Sequence, residues 1–180
     1  KFTGQYVTIA GAGRTDAGVH AYGQVAHFDL DKFYVNETII NAINAHLRLN
    51  DDQIAIVDAC EVDDEFHARF SAKRRHYLYR LASRRAPFVL EQNRIWRLPN
   101  PLNVEAMKEA ADFLIGEHDF TTFRASACQA KSPIKSLEKL EVKLVDEFDN
   151  QVNQYIEIHA SAPSFLHNQI RSFVGSLKMV

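Results

Sequence analysis

The fold is decided by residues 136–160, SLEKLEVKLVDEFDNQVNQYIEIHA, a stretch with the pattern of a β-hairpin. It predicts strands at 136–147 and 152–160, bounded by residue types that favour turns. Asp149 and Asn150 stand where the chain must reverse between the two strands. We therefore expect a pair of adjacent strands here, and the rest of the chain is interpreted outward from it.

A helix is predicted on each side of this hairpin. The upstream helix has Asn103 as its N-cap and Gly116 at its stop, and the downstream amphipathic helix begins near Ser164. The upstream helix presents one apolar face, made of Met107, Ala110, Ala111 and Leu114. This part of the chain therefore runs helix, strand, strand, helix.

The first part of the chain contains a similar set of elements. A helix at 37–47, with Asn36 as its N-cap, carries apolar side chains on one face. Strands are predicted at 5–11, 24–30, 53–62 and 74–83. The segment PNP at 99–101 then breaks the chain. We predict an α+β fold of two similar halves, residues 1–97 and 98–180.

The composition is that of an ordinary soluble globular chain, with 46% hydrophobic and 24% charged residues in a length of 180. No apolar run approaches the roughly 18–20 residues needed to cross a bilayer, and the first residues carry no secretion signal. The two cysteines, Cys60 and Cys128, lack metal-ligand spacing, and the eight histidines are scattered. We therefore expect a cytoplasmic protein with reduced thiols, no metal site and no membrane association.

The net charge of −2 hides an uneven distribution of charge along the chain. Acidic side chains dominate residues 50–66, whereas basic ones dominate residues 69–97, with aromatic side chains interleaved. Such a basic stretch is typical of a nucleic-acid interface. A strand face whose bases pair with neighbouring acids has the same pattern, so charge alone leaves both interpretations open.

The loop GAGRTDAGVHA, residues 11–21, places one carboxylate, Asp16, between glycine turns. A dinucleotide-binding turn needs a third glycine at position 16 and a helix after it. Asp16 occupies that position and an alternating strand pattern follows, which argues against a nucleotide-binding oxidoreductase. Gly13 and Gly18 would let the backbone turn sharply and a ligand approach closely. Taken alone, a loop aspartate more often only caps a turn.

Four ordered segments resemble the TruA family of tRNA pseudouridine synthases. They are GAGRTDAGVHAYGQVAHFDL (11–30), FHARFSAKRRHYLYRL (66–81), GEHDFTTFRASACQAKSP (116–133) and FLHNQIRSFVGSLKMV (165–180). The resemblance covers nearly the whole chain. It implies a mostly antiparallel mixed sheet flanked by helices, with the active-site cleft between two similar halves, in a cofactor-free homodimer. It also implies a reaction, the conversion of uridines 38 to 40 in the anticodon arm of tRNA to pseudouridine.

The resemblance assigns roles to four side chains. Asp16 is the catalytic carboxylate, which attacks as a nucleophile or takes a proton to give a glycal intermediate. Arg171 is its cationic partner, although an exposed Arg on an amphipathic helix would give the same pattern. Tyr77 stacks on the flipped base, and its phenol is a candidate carrier of the proton lost from C5; Tyr79, on the same strand face, is assigned to packing. Arg14 intrudes into the stem and holds the flipped base out.

The same resemblance places further tRNA contacts in three regions. They are Phe66, His67, Ala68, Arg69 and Phe70, then Arg85, and then Ala127, Cys128, Gln129, Ala130 and Lys131. The basic residues among them require only a positive charge for this role, because contacts to phosphate do not distinguish one nucleotide sequence from another.

Two alternatives to this function stay open. The first is a catalytically inert RNA-binding module of the same fold, and the second is the oxidoreductase already disfavoured by its missing glycine. Family members also carry a strand before residue 1 and a segment after residue 180. We therefore expect the isolated 180 residues to bind tRNA but to convert uridine poorly.

Overall fold

The structure, a computed structural model, describes residues 3–126, 128–148 and 153–180. Contacts divide the chain into two compact units, Lys1–Thr15 with Ala21–Ala72, and Asp16–His20 with Lys73–Val180. In the first unit the elements are β1 (Ala10–Gly11), β2 (Ala26–His27) and α1 (Asn36–Leu49). In the second they are β3 (Arg75–Ser83), β4 (Trp96–Leu98), α2 (Val104–Asp112), β5 (Gly116–Asp119), a 3-10 turn (Thr121–Phe123), β6 (Ile134–Leu137), β7 (Lys139–Phe148), β8 (Asn153–Ala162) and α3 (Gln169–Leu177).

A four-stranded sheet in the order β4-β3-β8-β7 organises the second unit. Strand β8 pairs antiparallel with both β3 and β7, while β4 runs parallel to β3. Strands β5 and β6 form a separate antiparallel pair. Sheets and helices are thus both present, which confirms the predicted mixture of α and β structure.

The core of the second unit is one apolar cluster to which the sheet, α2 and α3 all contribute side chains. Alternate residues of a strand lie on one face of the sheet, and residues three and four apart lie on one face of a helix. Apolar residues at these spacings in the strands and in the helices therefore pack into the same core. The largest fully buried members are Phe120, Phe173, Leu81, Met107, Leu137, Ile156, Ile158, Leu177 and Val174. This core holds in place the two elements that carry Tyr77 and Arg171, namely β3 and α3.

The predicted hairpin is confirmed as β7 and β8, which pair over most of their length. The prediction of one strand over 136–147 is wrong at its start, because residues 134–137 form β6 and pair with β5 instead. Glu138 separates β6 from β7, and its N–H donates to the carbonyl of Ser161 at 2.9 Å. The predicted turn residues, Asp149 and Asn150, lie outside the described residues.

Helix ends depart from the sequence predictions in three places. The Asn103 cap is confirmed, because its side chain accepts a hydrogen bond from the Ala106 N–H at 3.1 Å. However, α2 ends at Asp112, and Gly116 (φ 108°) begins β5 rather than stopping the helix. Asn36 is the first residue of α1 and not its cap. The final helix begins at Gln169 rather than near Ser164.

In the first unit, strand structure is shorter than predicted. The strands expected at 5–11 and 24–30 are reduced to the two-residue pair of β1 and β2, because a strand persists only where a partner supplies hydrogen bonds. Residues 53–62 form no strand. Instead, the side-chain amide of Asn44 bonds both main-chain groups of Ile56, at 2.8 and 2.7 Å.

The residues that the structure describes contain neither a candidate membrane-spanning helix nor a candidate metal cluster. Among these residues, no helix combines the length and apolar content that a membrane span requires. Within the same residues, no group of three or more His, Cys, Asp or Glu side chains is placed to hold a metal ion.

Candidate active site

Asp16 begins a tight turn at the centre of the loop 11–21. The Val19 N–H donates to the Asp16 carbonyl at 3.0 Å, which closes a four-residue turn. Gly18, the third residue of that turn, has φ 79°, in the left-handed region that favours glycine. Gly13 has no such φ, so of the two predicted glycines only Gly18 is required by the backbone conformation.

Arg171 forms an ion pair with Asp16 within the second unit. The Arg171 Nη2 atom lies 3.3 Å from Asp16 Oδ2. Both side chains are about half exposed, at 53% for Arg171 and 49% for Asp16. The pair is therefore open to solvent and to a ligand, and the two residues that sequence reasoning nominated are brought together.

The position of Arg171 follows from how α3 begins. Asn168 adopts the left-handed conformation (φ 63°), and α3 starts at the next residue. Gln169 is almost fully buried, and its Oε1 atom accepts the Leu166 N–H at 2.7 Å. The Gln169 N–H in turn donates to the Leu166 carbonyl at 3.1 Å. This closed turn fixes the first turn of α3, which carries Arg171.

Tyr77 and Tyr79 lie two residues apart on β3, and so share a face of that strand. Tyr77 is 41% exposed as a residue, and its ring packs edge-on against Phe165, with centroids 5.1 Å apart. Tyr79 is partly buried against the core and near Trp96. Burial raises the pKa of Tyr79, and the positive charge of Arg171 opposes part of this rise. Tyr77 is thus the more accessible ring.

Arg14 lies two residues before Asp16 in the loop 11–21. Arg14 belongs to the first unit and is exposed. The preceding backbone is held by Gln24, whose side-chain amide donates to the Gly13 carbonyl. Its assignment therefore continues to rest on the resemblance.

The segment 66–70 forms a compact turn in the first unit. The Ser71 N–H donates to the His67 carbonyl at 2.8 Å, and the His67 N–H donates to Ser71 Oγ at 3.0 Å. Phe70 is exposed, and the Arg69 guanidinium lies over its ring at 5.9 Å. Ala68 is buried, so its methyl group is not available to a ligand.

Sequence reasoning missed the residue that holds this turn, His27. Its Nδ1 atom accepts the Ala68 N–H at 3.1 Å, and its ring packs edge-on against Phe66 and His67. His27 falls inside the quoted 11–30 segment, but a single histidine in an alternating strand pattern carries no signal for this role.

The predicted tRNA contacts in the segment 128–131 differ in their exposure to solvent. Gln129 and Lys131 are exposed, whereas Cys128 and Ala130 are partly buried against the core. The His167 N–H donates to Cys128 Sγ at 3.4 Å, and hydrogen bonds of this kind lower the pKa of the thiol. Ala127 lies outside the described residues.

The basic stretch 69–97 proves to be mixed in character. Arg74 pairs with Glu138 at 2.6 Å, and Arg80 pairs with Glu157 at 3.3 Å, so these two bases are compensated by acids on the protein itself. Arg85 is exposed, and its carbonyl accepts a hydrogen bond from Arg97 at 2.6 Å. Pairing with acids is therefore confirmed for Arg74 and Arg80, while the nucleic-acid interpretation of the stretch stays a prediction.

Comparisons with known proteins agree with one another. A family described as tRNA pseudouridine synthase matches residues 110–180. The tRNA pseudouridine synthase A of Sinorhizobium fredii is 56% identical over 178 residues, which are 99% of this chain and 69% of the relative. The protein of that name from Bartonella henselae is 53% identical over 179 residues, 99% of this chain and 70% of the relative. That of Mesorhizobium japonicum is 52% identical over 180 residues, 100% of this chain and 70% of the relative.

Proposed function

Because the chain belongs to the tRNA pseudouridine synthase A family, we propose that it isomerises uridine to pseudouridine in tRNA, at positions 38 to 40 of the anticodon arm. The observation that carries this proposal is the ion pair between Asp16 and Arg171, at 3.3 Å. A carboxylate held by a cation and open to solvent is the group that the reaction needs. The two-half architecture (1–97 and 98–180, with the cleft between them), the homodimer and the cytoplasmic location that the resemblance implies belong to the same proposal.

The reaction conserves the atoms of the nucleoside. The N1–C1′ bond breaks, the uracil rotates, and C5 bonds to C1′, while C5 loses a proton and N1 gains one. Asp16 either attacks the sugar as a nucleophile or takes a sugar proton to give a glycal. Arg171 positions the carboxylate, because a guanidinium keeps its charge and suits the geometry of a carboxylate.

A uridine in a stacked stem must leave the stack before Asp16 can reach it, at a cost of a few kcal/mol. Stacking on an aromatic ring returns about 1–3 kcal/mol per base. Tyr77 suits this role, because the residue is 41% exposed and Phe165 packs edge-on against its ring. We assign Arg14 to holding the flipped base out of the stem. Tyr79, which is partly buried against the core, is assigned to packing.

Binding of the tRNA backbone falls to the exposed polar and basic residues of three segments. They are Arg69, then Arg85, and then Gln129 and Lys131; the partly exposed Phe66 and His67 and the exposed Phe70 offer ring contacts beside Arg69. Cys128 and Ala130, which are partly buried, and Ala68, which is buried, support these segments from behind.

Tritium release from 5-tritiated uridine in unmodified tRNA tests the proposal in the full-length protein. Asp16→Asn should abolish release and leave the tRNA Kd within a few-fold, because the amide keeps the shape but is neither nucleophile nor base. Asp52→Asn, which removes the same charge at an exposed position after α1, is the matched control and should release tritium like the wild type. Tritium release by Asp16→Asn contradicts the assignment. If the wild type binds tRNA but releases no tritium, the alternative of a catalytically inert RNA-binding module is supported.

A further inference from the structure

Arg124 is surrounded by the main chain of the segment that follows it. Its Nη2 atom donates to the carbonyl of Cys128 at 3.1 Å and to the carbonyl of Ala130 at 2.6 Å. Nη2 carries two hydrogens, and each has an acceptor within the protein. Arg124 is partly buried, so the segment wraps around a cation instead of presenting it to solvent.

This wrapping explains which side chains the segment exposes. The two residues whose carbonyls bind Arg124, Cys128 and Ala130, pack toward the core, and the residues after each of them, Gln129 and Lys131, are exposed. The residues that bond Arg124 thus alternate with the two that are exposed, Gln129 and Lys131.

The same segment is joined to the start of α3. The Ala125 N–H donates to the His167 carbonyl, and the His167 N–H donates to Cys128 Sγ, both at 3.4 Å. Phe123, immediately before Arg124, packs edge-on against Phe173 of α3, with centroids 4.8 Å apart. Residues on both sides of Arg124 thus contact α3 or the turn before it, at positions that flank Arg171.

We propose that Arg124 is a positioning residue that shapes the 128–131 segment for tRNA and, through His167, fixes the first turn of α3 and so Arg171. The inference rests on the proposed function. The competing interpretation of a basic residue in an RNA-binding segment is a contact to phosphate. The two interpretations differ in the salt dependence that they predict for tRNA binding. A cation on a phosphate releases counterions from the tRNA when it binds, whereas a guanidinium bonded to protein carbonyls releases few.

The test compares Arg124→Met with Lys131→Met in the full-length protein. Both variants remove one positive charge from the same segment, and Met keeps much of the length of the apolar stem. The tRNA Kd is measured between about 50 and 200 mM salt, where loss of one phosphate contact reduces the slope of log affinity against log salt by about 0.7–0.9. Single-turnover tritium release is then measured with tRNA saturated by enzyme.

For Arg124→Met we expect less than half of the slope change that Lys131→Met produces, and a single-turnover rate at least about tenfold below that of the wild type. In an Arg171→Lys background the loss caused by Arg124→Met should shrink, because residues that act through one another are not additive. If Arg124→Met does not fold, Arg124→Lys replaces it. Lys keeps the charge, so a phosphate contact predicts a wild-type single-turnover rate, whereas loss of the guanidinium that bonds both carbonyls predicts a slower one.

A full slope change in Arg124→Met, or a wild-type single-turnover rate, overturns the inference. So does a loss of rate that is additive with Arg171→Lys. These outcomes are distinct from failure of the proposed function, in which the wild type itself releases no tritium while the binding slopes still report on Arg124.

Discussion

Replacing Arg171 by Met should separate catalysis from stability. The ion pair to Asp16 is about half exposed on both sides, and pairs of that kind contribute about 0–1 kcal/mol to the free energy of unfolding. For a chain of this length, a loss of 1 kcal/mol lowers Tm by about 2–4 °C. The variant should therefore fold and melt almost like the wild type.

The rate of uridine conversion should fall much further. Without Arg171 the Asp16 carboxylate loses its cationic anchor on α3, and a displacement of about 1 Å at a reacting group costs on the order of a hundredfold in rate. That loss corresponds to about 2.7 kcal/mol in the activation free energy. We expect single-turnover tritium release at saturating enzyme to fall by at least this factor, with the tRNA Kd changed only a few-fold.

Arg80→Met is the matched control, because Arg80 forms an ion pair of the same length, 3.3 Å, with Glu157. That pair is less exposed, at 25% and 18%, so its loss should cost about 1–3 kcal/mol in the free energy of unfolding. The rate per folded molecule should stay near that of the wild type. If Arg171→Met keeps a third or more of the wild-type rate, or if its rate falls only as its Tm falls, Arg171 is no more than an exposed helix residue.

Three further outcomes are expected. Tyr77→Phe should bind tRNA normally and slow tritium release if the phenol carries the C5 proton, whereas Tyr77→Leu should also weaken binding; equal release by wild type and Tyr77→Phe would reduce Tyr77 to a stacking platform. Gly18→Ala should lose activity through strain at φ 79° and Gly13→Ala should keep its fold, so equal Tm and release in both would contradict the role of the turn. Hydrogen bonds from the Thr121 hydroxyl and N–H lower the pKa of Asp119. The stability that Asp119 contributes is therefore present above the ordinary carboxyl pKa of 3.8 and is lost as pH falls through the lower folded value. Denaturation curves across that range should show that Asp119→Asn loses less free energy of unfolding on acidification than the wild type does.

Local features of the fold could be predicted from the sequence because their causes lie within a few residues. The Asn103 cap needs only an N–H three residues on, and the turn at Gly18 needs only a residue that tolerates positive φ. The strands of the β7–β8 hairpin follow from residue types and turn signals in one continuous stretch. The family-like motifs also lie within short segments, and they are sufficient to nominate Asp16, Tyr77 and Arg171 as site residues.

The hydrogen-bond partner of a segment depends on the tertiary structure and could not be predicted from the sequence pattern. Residues 53–62 have the composition of a strand, yet Ile56 bonds to the side chain of Asn44 and forms no ladder. The final helix could have begun near Ser164, but the bonds of Gln169 to Leu166 close a turn there and delay the helix to Gln169 itself. The partner of Ile56 and the start of the final helix both depend on polar groups that are distant in the sequence or buried. The hydrophobic pattern of the sequence carries no information about these groups.

The pairing of Asp16 with Arg171 has the same origin. The two residues stand near opposite ends of the sequence, and from residue types alone each has an ordinary interpretation, a turn-forming Asp and an exposed helix Arg. The core that α3 shares with the sheet, together with the turn at 166–169, brings the guanidinium to 3.3 Å from the carboxylate. Short motifs are sufficient to nominate Asp16 and Arg171 for the chemistry. Their contact depends on the packing of distant segments, because two remote residues meet only when the core between them has formed.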